Sequence, residues 1–158
     1  MENARPILRL DSIKGDSHVL SIKAHKDLDN GNFVALGDLN PLEGELFTAT
    51  DVSQESDIVC LISQARLNPR DDFETMNAEN YTKKDEVSRG YVLSVADMFT
   101  LTDNGIEGSV TKGAYVCPEG VKLTVKEKTE CKGTVLLKVL QKTKLAGYDA
   151  SLLQVVRA

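Results

Sequence analysis

Residues with the chemistry for catalysis or metal binding are few in this chain, and their spacing decides against most uses. The two histidines, His18 and His25, stand seven apart on either side of a strand-like run. An odd spacing places them on opposite faces of a strand, so they do not jointly bind one metal there. No serine, cysteine or glutamate is spaced to complete a hydrolytic triad with either. Asp27-Leu28-Asp29-Asn30-Gly31 begins like a calcium loop. Gly31 then falls where the third oxygen ligand belongs, Asn32 replaces the required glycine, and Asp38 stands in the slot of the bidentate glutamate. The stretch reads as a turn. Asp71, Asp72 and Glu74 form a second acidic cluster, which reads as solvated loop charge. Neither Gly-x-x-x-x-Gly-Lys-Ser/Thr nor Gly-x-Gly-x-x-Gly occurs, so no phosphate cradle is expected. The expectation is no catalytic, metal-binding or cofactor-binding residue, and no enzyme.

Composition narrows the remaining classes. At 158 residues and a 41% hydrophobic fraction, the chain is long enough for one ordinary domain with a buried core. It has no Trp and only eight Phe and Tyr, so Val, Leu and Ile must fill that core. A net charge of −5 opposes a whole-molecule grip on nucleic acid or anionic lipid. Lys122, Lys126, Lys128, Lys132, Lys138, Lys142 and Lys144 make the last third basic. They read first as the wet face of amphipathic strands and second as the rim of an interface. A nucleic-acid groove ranks third, because only Tyr115 and Tyr148 could stack there.

Cys60, Cys117 and Cys131 are too few for a disulfide framework, and no Cys-x-x-Cys is present. Reduced thiols buried as small hydrophobes are expected, with one disulfide between two of the three as the alternative. The N-terminal residues lack the profile of a signal peptide, and no run nears the roughly 18 apolar residues that span a bilayer. The expectation is a chain made in a cytoplasm and not membrane-bound. Asn80-Tyr81-Thr82 fits a glycosylation acceptor but carries no meaning there.

The elements are short and β-forming. Strand signals lie at Ile7-Leu8-Arg9-Leu10, Val19–Ala24, Leu46–Thr50, Ile58–Ile62, Gly90–Leu93, Val121–Val125, Val135–Leu140 and Ser151–Val156. Asp103-Asn104-Gly105 reads as a hairpin turn, and Ser94–Phe99 as one helical turn. Residues 67–89 are polar, anchored only by Phe73, Met76 and Tyr81, and read as a long surface loop. The pattern predicts an all-β fold, a small sandwich or barrel with at most one or two short helices. Residues 1–10 form an extended arm and 11–158 a single β-rich domain.

One motif recurs. Asn30-Gly31-Asn32-Phe33-Val34 is echoed 82 positions later by Lys112-Gly113-Ala114-Tyr115-Val116. Each reads as turn, glycine, spacer, aromatic, valine. They suggest corresponding corners of two half-units, with Phe33 and Tyr115 plugging the core.

The stretches Leu28–Gly37, Glu43-Gly44-Glu45-Leu46-Phe47, Gly90–Leu93 and Lys112–Val116 resemble the capsid decoration (cement) proteins of tailed bacteriophages. Those are small, β-rich and punctuated by similar glycine-spacer-aromatic-valine corners. The likeness covers about half the chain and is one of style. It implies a non-enzymatic virion protein that binds and stabilises the outer capsid surface, with the major capsid protein as partner. It further implies a trimer or dimer, and an N-terminal arm, here Ile7, Leu8, Arg9 and Leu10, that adds a strand to a capsid-protein sheet. Competing readings are another head or tail β-barrel component, and a carbohydrate- or small-ligand-binding β-sandwich.

Overall fold

The computed structural model describes residues 5–14, 18–42, 44–53, 55, 57–64 and 81–158. The fold is mainly β, with fourteen strands and two 3-10 turns among the described residues. Strands β2 (His18–Lys23), β4 (Phe33–Leu39), β5 (Leu46–Thr50), β6 (Val59–Ile62) and β8 (Val87–Val92) close into a barrel in the order β2-β5-β4-β6-β8. The short strands β3 (Leu28–Asp29) and β7 (Tyr81–Thr82) pair with each other. A seven-stranded sheet holds β1 (Leu8–Ser12), β9 (Met98–Thr102), β10 (Ile106–Glu107), β11 (Tyr115–Glu119), β12 (Lys122–Lys126), β13 (Leu136–Leu145) and β14 (Tyr148–Arg157). Its order is β1-β9-β14-β13-β11-β12-β10.

The sheet repeats the barrel's connectivity. In the first unit β2·β5 is parallel, and β4·β5, β4·β6, β6·β8 and β2·β8 are antiparallel. In the second, β10·β12 is parallel, and β11·β12, β11·β13, β13·β14 and β9·β14 are antiparallel. The one difference is that the strand matching β2 is split into β9 and β10 by a 3-10 turn at Asp103–Gly105. Those residues therefore make no hairpin: β9 and β10 pair with different neighbours. No helical turn occupies Ser94–Phe99 either. Asp97 instead closes a turn there, its carboxylate accepting the Ser94 N–H at 2.7 Å and the Lys14 N–H at 2.9 Å.

The two recurring motifs sit at matching corners. Asn32 N–H donates to Asp29 O at 3.1 Å, and Ala114 N–H to Thr111 O at 3.1 Å. Gly31 and Gly113 occupy the third position of these turns with φ of 89° and 87°, the positive φ that a type II turn demands there. Gly31 N–H then bonds Ile62 O, and Gly113 N–H bonds Val139 O. The strands that follow also match, Phe33 facing Leu61 as Tyr115 faces Lys138. Gly31 carries a second constraint, since a Cβ there would lie 2.4 Å from Leu101 Cδ1.

Two apolar clusters divide the interior. Ile22, Leu28, Val34, Ala49, Cys60 and Ile62 fill the closed barrel. Phe33, Val59 and Leu61, on the barrel's outer face, join Phe99, Leu101, Val116, Leu123, Leu137 and Leu153 of the second unit in the larger core. The Phe33 and Phe99 rings meet at 6.3 Å. This double burial accounts for most of the apolar run Ile58–Ile62: Val59 through Ile62 are all buried, while Ile58 is exposed. Phe33 does plug the core. Tyr115 does not; it is half-buried on the outer face of the second unit, beside Cys117, Cys131 and Leu136.

The polar stretch expected as a loop over 67–89 is structured from residue 81, while 65–80 lie outside the described residues. Val87–Val92 hides its strand character because Ser88 and Gly90 face inward. A Cβ at Gly90 would lie 2.1 Å from Ile22 Cδ1, so the isoleucine takes the place of a side chain.

Replacing Phe33 by Ala is expected to cost about 3–5 kcal/mol, the usual range for a buried phenylalanine. Tyr115→Ala should cost less than half as much, as read by urea denaturation of both variants. Equal losses would mean that the two corners are packed alike.

Candidate functional site

The four residues expected to form an arm are docked. Thr102 N–H donates to Ile7 O at 3.1 Å, and Leu8, Arg9 and Leu10 register with Leu101, Thr100 and Phe99 of β9. Leu8 and Leu10 pack on the larger core. Arg9 lies on the opposite face, where its Nε donates to Asp11 Oδ1 at 2.8 Å and Thr100 Oγ1 donates to Asp11 Oδ2 at 2.6 Å. Alternation along an antiparallel strand then turns the Leu8 and Leu10 amides away from β9. Strand β1 ends the sheet, and no described strand pairs with its outer side.

Asn30, Gly31 and Phe33 serve the fold. The Asn30 side chain stands in for a strand backbone, donating from Nδ2 to Gln64 O at 2.8 Å and accepting the Gln64 N–H on Oδ1 at 2.7 Å. Asn32 Oδ1 accepts the Asp29 N–H at 2.9 Å. With its oxygens spent on the backbone, the loop has no set of free ligands. Asp29 is bound by Arg5 at 2.6 Å, and that guanidinium stacks 3.5 Å from the Tyr81 ring centroid. Among the described residues no group of three His, Cys, Asp or Glu is placed to hold a metal ion. Asp71, Asp72 and Glu74 lie outside those residues.

The histidines are not brought together. His18 opens β2 on the surface, whereas His25 Nε2 meets Asp51 Oδ1 at 2.7 Å beyond the strand's end. Lys26 Nζ adds a contact to Asp51 Oδ2 at 3.0 Å. His25, then Lys26, hold the Asp51 carboxyl below the ordinary carboxylate range.

One constellation escapes sequence reading because its members are 39 and 48 positions from Asp103. Ser151 Oγ donates to Asp103 Oδ1 at 2.8 Å, and Lys142 Nζ donates to Ser151 Oγ at 2.8 Å and to Asp103 Oδ2. A Ser-Lys pair can be a nucleophile and its base. Here the Asp103 carboxylate balances the ammonium, and Ser151 is fully buried. The triangle fastens the 3-10 turn to the β13–β14 hairpin.

Cys117 and Cys131 are disulfide-bonded, correcting the expectation of three reduced thiols. The bond joins β11 to the loop before β13, and the Arg157 guanidinium donates to the carbonyls of Cys131 and Gly133. Cys60 is the free cysteine; burial pushes its thiol up to about 11, leaving it inert. An open cleft of about 420 Å³ lies beside the disulfide. Val52, Glu55, Glu119, Lys126 and Thr134 help to line it, with Lys126 paired to Glu119 at 2.8 Å.

No family profile matches the sequence, and no curated protein matches it. No helix among the described residues is long and apolar enough to cross a membrane.

Two outcomes follow from this geometry. Reduction, or Cys131→Ser, should cost about 3 kcal/mol, the chain-entropy value for a loop of this size, read from urea midpoints with and without reductant. The Asp51 pair should contribute less than about 1 kcal/mol, because it is exposed. A depressed folded pKa stabilises above the unfolded value of 3.8 and is lost as pH falls through the folded value. The stability difference between wild type and Asp51→Asn should therefore be present at neutral pH and vanish in strong acid. A difference that grows on acidification would contradict the pairing.

Proposed function

We propose that this chain is a non-enzymatic structural protein that binds the outer surface of a tailed-bacteriophage capsid through strand β1. The observation that carries the reading is the outer edge of β1, which no described strand covers. It offers the outward backbone donors and acceptors of Leu8 and Leu10 on a stretch already ordered by β9, so a partner strand can add to it at little ordering cost. Such edges are normally blocked or covered. Multiple copies on one lattice would gain by multivalency, so each contact can be modest. The sequence likeness to decoration proteins supplies the partner, the major capsid protein of a phage shell. A trimer or dimer would increase the avidity.

The test is co-sedimentation of the purified chain with empty shells assembled from a tailed-phage major capsid protein. Saturable binding in a fixed ratio to the shell subunit is the expected result. Leu10→Pro removes an outward amide, with a fixed φ and a shorter apolar side chain against the core as its structural cost. It should weaken binding more than tenfold while leaving cooperative unfolding in place. Absence of binding by the folded wild-type chain would overturn the reading. Undiminished binding by the proline variant would move the contact away from β1.

A further inference from the structure

The internal repeat singles out a surface that its own logic leaves open. Pairing registers place Phe33, Val59 and Leu61 of the first unit in correspondence with Tyr115, Leu136 and Lys138 of the second. Continued along the last strand, the same register matches Leu93 with Val156. In the first unit Phe33 and Leu61 are fully buried and Leu93 nearly so, all beneath the second unit. In the second unit no sister unit lies over the matching face among the described residues. The disulfide loop shields Cys117 and Leu136, and the remainder opens as a cleft of about 410 Å³ lined by Tyr115, Lys128, Leu136, Lys138, Val156 and Arg157.

The lining has a definite chemistry. Leu136 and Val156 provide an apolar floor, and the Tyr115 ring forms one wall. Lys128 Nζ and Lys138 Nζ lie 5.6 and 5.9 Å from the ring centroid, within cation–π range. The Arg157 guanidinium is spent on neutral carbonyls, so no carboxylate balances it there. Three cations thus surround the cleft, with no acid among its described lining residues. The nearest acidic residues, Glu127 and Glu130, line a second cleft that also reaches Tyr115, together with Lys112 and Lys126.

We infer that the Tyr115 cleft is a docking site for an acidic segment of a partner protein, one apolar side chain entering the cleft between flanking carboxylates. The apolar side chain would cover Val156 beside the Tyr115 ring, as the second unit covers Leu93. The carboxylates would meet Lys128, Lys138 and Arg157 in charge-assisted hydrogen bonds. An apolar centre with a charged rim is the ordinary anatomy of a protein–protein contact. Nucleic acid fits less well, because a single aromatic offers no stacking platform for successive bases. The cleft lies on a sheet face, not on the β1 edge, so the inference stands independently of the capsid reading.

The probe is a short synthetic peptide with one leucine flanked on both sides by glutamates. It is titrated into the isotope-labelled full chain and followed by amide NMR shifts. Saturable shifts confined to Tyr115, Lys138, Val156 and their neighbours are expected, with affinity reduced at least tenfold by Lys138→Glu. Lys144→Glu, at the far end of the same strand, should leave the affinity unchanged. Both variants are surface charge reversals, and an unaltered spectrum elsewhere checks their fold. Four results would overturn the proposal: no saturable shift at millimolar peptide; equal binding of an all-glutamate peptide; tighter binding of an oligothymidylate at the same residues; or concentration-dependent shifts there without peptide, which would make a second copy the occupant.

Discussion

The structure depends on a single packing event, the burial of the first barrel's outer face against the core of the second unit. Phe33, Val59 and Leu61 have no reason to be apolar inside a lone five-stranded barrel, whose interior is already filled by Val34, Cys60 and Ile62. They are apolar because a second unit covers them. The contact also sets the backbone. Phe33 N–H bonds Val121 O at 2.8 Å, and Val52 and Gly120 exchange both of their hydrogen bonds. Gly31 is held to glycine by the approach of Leu101 as well as by its φ. A small all-β chain poor in aromatics reaches an adequate core by letting strands β4 and β6 each serve two clusters at once.

The same arrangement separates what could be read in the sequence from what could not. The all-β class was legible, since apolar runs and glycine turns follow strand periods directly. Phe33 as a core residue was legible too, because a bulky ring directly after a tight turn is committed to one face. Tyr115 misled for the same reason. Its local pattern matches Phe33, and only the location of the sister unit distinguishes them. Ser88 and Gly90 hid an inward-facing strand, because Ile22 reaches across to fill their space. The Asp103-Asn104-Gly105 signal was a genuine turn, yet the strands beside it pair elsewhere, and pairing is a non-local fact. The Cys117–Cys131 bond belongs to the same category: fourteen residues separate its partners, and nothing in their spacing marks them.

Polar groups are placed by an equally strict accounting. Asn30 and Asp97 are buried, and each spends its side chain on backbone groups that would otherwise lack partners. The Asp103–Lys142–Ser151 triangle is the most reactive-looking set in the chain, but it is closed on itself. Buried polar networks are tolerated where every member is satisfied, and such networks do structural duty. Among the described residues, unspent recognition chemistry is concentrated at the periphery, on the β1 edge and around Tyr115.

Strand β1 has a further consequence, which concerns the order in which the molecule comes apart. Its partners lie far along the chain, Leu8 opposite Leu101, and a single ladder joins it to the sheet. Ten-residue strands β13 and β14, by contrast, are joined by the two-residue turn Ala146-Gly147, both at positive φ. A local hairpin closes cheaply, whereas a contact spanning most of the chain must repay a large loop entropy. Local opening therefore begins at β1, with the hairpin left as the most persistent unit. A strand joined at one edge by one ladder is also one whose detachment costs the rest of the described fold little.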